Sequence, residues 1–276
     1  MIEMFSSRLW WALVAALFLL APACSKNDDD LIQAAWTGDV ARVNSLLAHG
    51  ADPNVRDRTG LTPLLAAAIK ASANGSTEIA RALIARHADV NAATPSGQTA
   101  LLEAAENGNV PLVRVLLEAG ANPNVKMTGG LTPLMGAAKK GHTDIVQMLL
   151  DKGADPNAAD HLGNAAALTA ALAGDTTVFD MLLAHGANLN RSDSRGVTPL
   201  MWAASLGDTF AVRLLLERGA DVTIADKTGA TAYDWALREG HADVAARIGA
   251  LMPAPEETEK PEEKRADSPA GKNGRK

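Results

Sequence analysis

The stretch TPSGQTALLEAAENGNVPLVRVLLEAGANPNVK, residues 94–126, runs straight into MTGGLTPLMGAAKKGHTDIVQMLLDKGADPNAA, residues 127–159. The second follows the first in register: a glycine, a threonine, paired alanines, a glycine, an apolar run, a glycine, and a closing Asn. The leading glycines Gly60, Gly97, Gly130, Gly163, Gly196 and Gly229 lie 37 residues apart once and 33 apart thereafter. A fixed period of this length describes a solenoid, in which each supersecondary unit buries its apolar face against its neighbours. Seven units are counted, at about 29–56, 57–93, 94–126, 127–159, 160–192, 193–225 and 226–252.

Each unit reads as two short helices. Thr62, Thr99, Thr132, Thr198 and Thr231 stand where a helix needs an N-cap. Pro63, Pro133 and Pro199 follow at the first helical position, where a missing N–H costs nothing. Paired alanines such as Ala104-Ala105 and Ala137-Ala138 let the first helices of adjacent units approach closely, and Gly108, Gly141 and Gly207 end those helices. Asp39, Ser76, Asn109, Asp175 and Asp208 are candidate caps for the second helix. Its apolar residues recur as Leu112, Val113, Val115, Leu116 and Leu117, a buried helical face. Gly50, Gly120, Gly153, Gly186 and Gly219 close it as left-handed glycines do. The fold class is an all-α repeat solenoid.

Composition agrees with that reading. Hydrophobic residues make up 47% and charged residues 21%, enough apolar material for a sizeable core. Aromatics are only 4%, so the core is built from Ala, Leu, Val, Ile and Met, which favour close-packed helices. The net charge of −6 argues against a general nucleic-acid binder, which needs a basic stripe. Cys24 is the single cysteine, so no internal disulfide forms and stability comes from packing.

The N-terminus carries a different message. Residues 9–20, LWWALVAALFLL, are apolar and uncharged, with Arg8 before them and Ala21-Pro22-Ala23 after. Twelve helical residues span about 18 Å, too short for a hydrocarbon core of about 30 Å. The pattern is that of a secretory signal peptide, residues 1–23. Leu20-Ala21-Pro22-Ala23-Cys24 resembles the lipobox of bacterial lipoprotein precursors in Ala23, Cys24 and the apolar lead-in. It departs from that pattern at Pro22 and Ala21. The resemblance implies acylation of Cys24, cleavage before it, and a periplasm-facing lipid anchor. Ser25, rather than Asp, after the cysteine implies transfer to the outer membrane. Ordinary signal-peptidase cleavage after Ala-Pro-Ala, giving a soluble periplasmic protein, is the alternative. Residues 24–30 then form a short tether, and 31–252 the repeat domain. The tail, 253–276, holds six acids and six bases and is expected to be disordered and solubilising.

The repeats resemble the ankyrin repeat. G-x-T-P-L, A-A-x-x-G and L-L-x-x-G-A-[DN]-x-N recur in register over about residues 29–252, as in Gly130 to Leu134, Ala137 to Gly141, and Leu149 to Asn157. The resemblance implies a stack of helix-turn-helix units with β-hairpin loops projecting from one edge. The histidine that the family places after T-P-L is replaced by Leu65, Leu102, Met135, Leu168, Met201 and Asp234, which removes its support of the turn. Ala165-Ala166 replaces Thr-Pro in unit 160–192. Unit 57–93 carries four extra residues, 71–74, beside its inter-helix turn, and its helix-ending glycine is His87.

No catalytic signature is present: there is no G-x-S-x-G, no phosphate loop and no G-x-G-x-x-G. Five of the six histidines, all but His161, fall at recurring repeat positions, which speaks against a metal or general-base cluster. Asp52-x-Asn54 and its copies lack the glycine and glutamate of a calcium loop. The expectation is therefore no enzyme, no metal, no cofactor, and a monomer. The family resemblance implies protein binding through hairpin tips and the inner face of the first helices. Carried over, the tips are Arg58, Pro95, Thr128, His161, Ser194 and Lys227. The helix face is Trp36, Ile69, Glu106, Lys139, Lys140, Leu172, Ser205 and Leu206, with Trp202 and Trp235 at one shared repeat position. The expected function is a non-catalytic interaction scaffold in the bacterial cell envelope. It binds a protein partner on its concave face, either neutralising a toxin or protecting or docking a periplasmic enzyme. An envelope spacer without a high-affinity ligand, or an effector acting on host proteins, is the alternative.

Overall fold

The computed structural model describes residues 26–70 and 73–253; the apolar run 9–20 expected to be a signal peptide, Cys24 and the tail beyond Pro253 lie outside the described residues. Fourteen helices occur among the described residues, in consecutive pairs. They are α1 (Lys26–Thr37) with α2 (Val40–Ala48), α3 (Pro63–Lys70) with α4 (Ala73–Ile84), and α5 (Ala100–Glu106) with α6 (Val110–Glu118). There follow α7 (Pro133–Lys139) with α8 (Thr143–Asp151), and α9 (Ala166–Ala173) with α10 (Thr176–Ala184). The last pairs are α11 (Pro199–Ser205) with α12 (Thr209–Glu217) and α13 (Ala232–Arg238) with α14 (Ala242–Gly249). First helices pack on first helices, α1 on α3, α3 on α5, α5 on α7 and α7 on α9, and α11 packs on α13. One continuous apolar core of Leu, Val, Ile, Met and Ala threads all seven pairs, with Phe179 its largest fully buried side chain. The paired alanines of the first helices, such as Ala104, Ala105, Ala137 and Ala138, are fully buried, as close helix approach requires.

Threonine caps account for the start of the first helices. Thr62, Thr99, Thr132 and Thr198 accept the N–H of Leu65, Leu102, Met135 and Met201 at 3.3–3.4 Å. Ala165 provides no such bond at α9. Thr231 differs: its hydroxyl and N–H both donate to Asp234 Oδ2, at 2.7 and 2.8 Å. Asp234 thus restores a bond back to the turn, and Met201 Sδ likewise accepts the Thr198 N–H at 3.4 Å. The expected loss of turn support is therefore corrected in these two units.

At the second helices, Asp39, Asn109, Asp175 and Asp208 cap as the spacing predicts. Ser76 does not. The inserted residues lengthen the second helix, so α4 starts at Ala73 and spans 12 residues where its counterparts span 8 or 9. Ser76 lies inside it, fully buried, and donates to Ala67 O at 2.9 Å. The tether also proves shorter than expected, because α1 already begins at Lys26. Three aspartates at 28–30 suit the positive end of a helix, and Asp30 pairs with Arg42 at 3.0 Å.

The loops between units form single antiparallel bridges, Ala93 with Thr99, Ala159 with Ala165 and Ala225 with Thr231, rather than strands. Aspartates shape their turns: Asp57, Asp160, Asp193 and Asp226 each accept two N–H groups from the residues that follow. Neighbouring tips are tied by backbone bonds, Thr128 N–H to Ser96 O, His161 N–H to Gly129 O and Lys227 N–H to Arg195 O.

Candidate interaction face

The Asn that closes the motif in five units, Asn54, Asn91, Asn124, Asn157 and Asn190, is a staple to the next unit. Asn124 donates from Nδ2 to Gly153 O at 2.9 Å and accepts the Asp155 N–H at 2.8 Å. Asn54, Asn91 and Asn157 do the same for their following units, and Asn190 accepts the Asp221 N–H. The Asp-x-Asn text is thereby fully explained by stacking. Four of the histidines are structural in the same way. His142 Nε2 lies 3.1 Å from Glu106 O and His241 Nε2 lies 3.2 Å from Ser205 O, each reaching back one unit. Gly108 and Gly207 leave room for those rings: a Cβ there would come within 2.6 Å of the imidazole. His49 and His185 bond carbonyls of their own helices. Among the described residues no three His, Cys, Asp or Glu side chains converge as metal ligands.

The remaining candidate residues lie at the loop tips and on or just beyond the first helices. The tip residues Arg58, Pro95, Thr128, His161, Ser194 and Lys227 are all exposed. On the first helices, Lys139, Lys140, Leu172 and Leu206 are exposed, and Trp36, Ile69, Glu106, Ser205, Trp202 and Trp235 are half-buried. The face is graded along the stack. Its middle is ionic, with Glu103 and Glu106 on α5 and Lys139 with Lys140 at the end of α7. Burial pushes the Glu103 carboxyl up, offset in part by a bond from Gln98 and reinforced by the Glu106 charge. Its far end carries exposed leucines: Leu172 is 38% exposed and Leu206 58%.

Trp202 and Trp235 meet there. Their ring centroids are 6.3 Å apart and the planes are tilted by 51°. Two arginines that the sequence did not single out cover them: Arg195 lies 5.5 Å from the Trp202 ring and Arg238 5.9 Å from Trp235. The two indoles are anchored differently. Trp235 Nε1 donates to Asp226 Oδ2 at 2.9 Å. Asp226 also receives the Thr228 hydroxyl and the N–H groups of Ala230 and Thr228; with the Thr228 hydroxyl the strongest influence, its pKa is held down to about 2. Asp193 is the equivalent residue one unit earlier, but its Oδ2 is taken by Arg195, at 3.0 and 2.9 Å. Trp202 Nε1 is consequently buried without an acceptor. A repeat-aware reading of the sequence contains the signal for the aspartates, since Asp193 precedes Trp202 and Asp226 precedes Trp235 by the same interval. Nothing in the spacing marks Arg195 or Arg238.

The family model for ankyrin repeats matches at residues 31–127, 69–160, 104–193 and 167–248, which together cover most of the chain. This is an ankyrin repeat protein. A stretch of 83 residues is also 39% identical to the mitochondrial disaggregase of Bos taurus, covering 29% of this chain and 12% of that protein. The likeness to the disaggregase is therefore partial. Ankyrin repeats generally serve as non-enzymatic protein-interaction scaffolds.

Proposed function

We infer that this ankyrin repeat protein is a lipid-anchored scaffold of the bacterial cell envelope that holds a protein partner against its concave face. The single observation that carries the binding reading is the half-buried Trp202–Trp235 pair with Arg195 and Arg238 against its rings, together with the exposed Leu172 and Leu206. Solvent-facing apolar side chains grouped beside aromatics and arginines have the composition of an interface core, where a few Trp, Tyr and Arg residues dominate affinity. The export reading rests on the apolar run 9–20 and the Ala23-Cys24 junction. The partner is either a toxin that the scaffold neutralises or an envelope enzyme that it protects.

The test is crosslinking and pull-down from native envelopes with the wild-type chain and with a Trp36→Ala, Leu206→Asp variant of unchanged circular dichroism. Capture by the wild type and loss in the variant supports binding on this face. Equal capture by both overturns the face, and no capture by either overturns the binding reading.

A further inference from the structure

Trp202, Trp235, Arg195 and Arg238 form a patch whose anchoring is incomplete. Trp235 has Asp226 as its acceptor, whereas Trp202 has none, because Arg195 occupies the oxygen of Asp193 that matches the one Trp235 uses. The difference lies at one repeat position. Thr228 bonds Asp226 Oδ1 and leaves Oδ2 free for an indole, while Arg195 reaches Asp193 Oδ2. The Arg195 side chain is 55% exposed, so an incoming carboxylate can engage its guanidinium without entering the core. Drawing Arg195 away frees Asp193 Oδ2 for the orphaned indole N–H. Docking of an acid thus completes a hydrogen bond that the bare stack lacks, and buried donors without acceptors are costly.

The chain itself carries a matching acid segment. In 254–263 there are five glutamates, Glu256, Glu257, Glu259, Glu262 and Glu263, against one base, Lys260; in 264–276 the balance reverses, with five bases against Asp267. The described chain ends in the helix pair that carries Trp235 and Arg238. Met252 packs on the core, and the C-terminal end of α14 rests on Tyr233, where a Cβ at Gly249 would meet the ring at 3.1 Å. Tyr233 is two residues from Trp235 on α13, in the last helix pair of the described residues. At about 3.3–3.6 Å per extended residue, residues 256–263 reach from about 10 to about 35 Å beyond Pro253.

We propose that the acidic stretch 256–263 docks on the Arg195–Trp202–Trp235–Arg238 patch and occupies the apolar end of the interaction face. The inference goes beyond the scaffold reading, because it names an occupant within the same chain. A tethered ligand acts at an effective concentration in the millimolar range, so weak contacts suffice. An external partner then competes with the tail for the same surface.

The experiment compares the full chain with one ending at Pro253 by the indole N–H resonances of Trp202 and Trp235, assigned with Trp202→Phe and Trp235→Phe. The expected result is that both resonances move on truncation and that a synthetic peptide of residues 254–276 moves them back. Arg195→Ala and Arg238→Ala should each weaken the peptide about fivefold or less, the size of an exposed charge contact. A peptide with the five glutamates replaced by glutamine should not bind. Identical indole resonances in the full and truncated chains overturn the proposal, as does equal binding of the glutamine peptide. Neither result depends on capture of an envelope partner, so this proposal and the scaffold reading fail separately.

Discussion

At the scale of single residues, some substitutions in the repeat are matched by a new bond and others are not. Asp226 is 8% exposed and its carboxylate serves four donors, with its pKa held down to about 2 from an ordinary value of 3.8. A depressed carboxyl stabilises the fold fully above its unfolded value, and that contribution is lost as pH falls through the folded one. The chain should therefore lose stability between about pH 4 and pH 2 through this group. In Asp226→Asn that fall should be shallower and the protein weaker at pH 7, as read by urea unfolding at each pH. His87 gives the opposite case. Among the described residues it is the non-glycine residue with a positive φ, 63°. The left-handed backbone there is needed to close α4, and a side chain makes it unfavourable. His87→Gly should stabilise the chain by about 0.5–1 kcal/mol, visible as a raised urea midpoint at constant slope.

At the scale of helices, the fold is legible in the text because its determinants are local and periodic. Thr at the N-cap, Gly at the helix end and paired Ala at the contact recur every 33 residues, and α3, α5, α7 and α11 follow from them. What escapes the sequence is whatever depends on how side chains pack in three dimensions, within a unit as much as between units. Ser76 has the chemistry of a cap, yet the extra turn of α4 turns it inward to Ala67. Arg195 looks like a solvated tip residue, and only the stacked structure puts it over Trp202. The junction between units 160–192 and 193–225 shows the same dependence. There α9 does not pack closely on α11 as other first helices do, but meets α12 instead. Phe210 lies half-buried beside Gly174 at this junction, where the matching residues of other units are Pro111, Asp144 and Thr177. The same α9 lacks a side-chain cap, normally worth about 0.5–2 kcal/mol. Because repeat stability is roughly a sum of local and neighbour terms, both deficits should stay local. Amide exchange should be faster in 160–192 than in 127–159, and Ala165→Thr with Ala166→Pro should raise the melting temperature. Uniform protection across the two units would contradict this.

At the scale of the whole molecule, the two ends of the stack are assigned different tasks. The apolar, arginine-edged end lies in the last two units, and the anchor proposed at Cys24 lies before the first. The described part of α1 begins at Lys26, two residues after that cysteine in the sequence. Helical residues advance about 1.5 Å each, so the turns between Cys24 and Leu31 add about 10 Å where an extended tether would add about 20 Å. Acyl chains contribute about 0.8 kcal/mol per buried CH₂, and two or more anchor stably. The first unit should consequently sit at the bilayer surface, with successive units stacked at about 8–10 Å spacings away from it or along it. Mass spectrometry of the mature N-terminus should find cleavage between Ala23 and Cys24 and an acylated Cys24; an unmodified cysteine means a soluble periplasmic protein. With the anchor in place, a fluorophore at Thr37 should transfer energy to a membrane dye efficiently. The same fluorophore at Thr228 separates the two orientations: weak transfer means the stack stands off the membrane, presenting the Trp202–Trp235 end to the periplasm, and strong transfer means it lies flat.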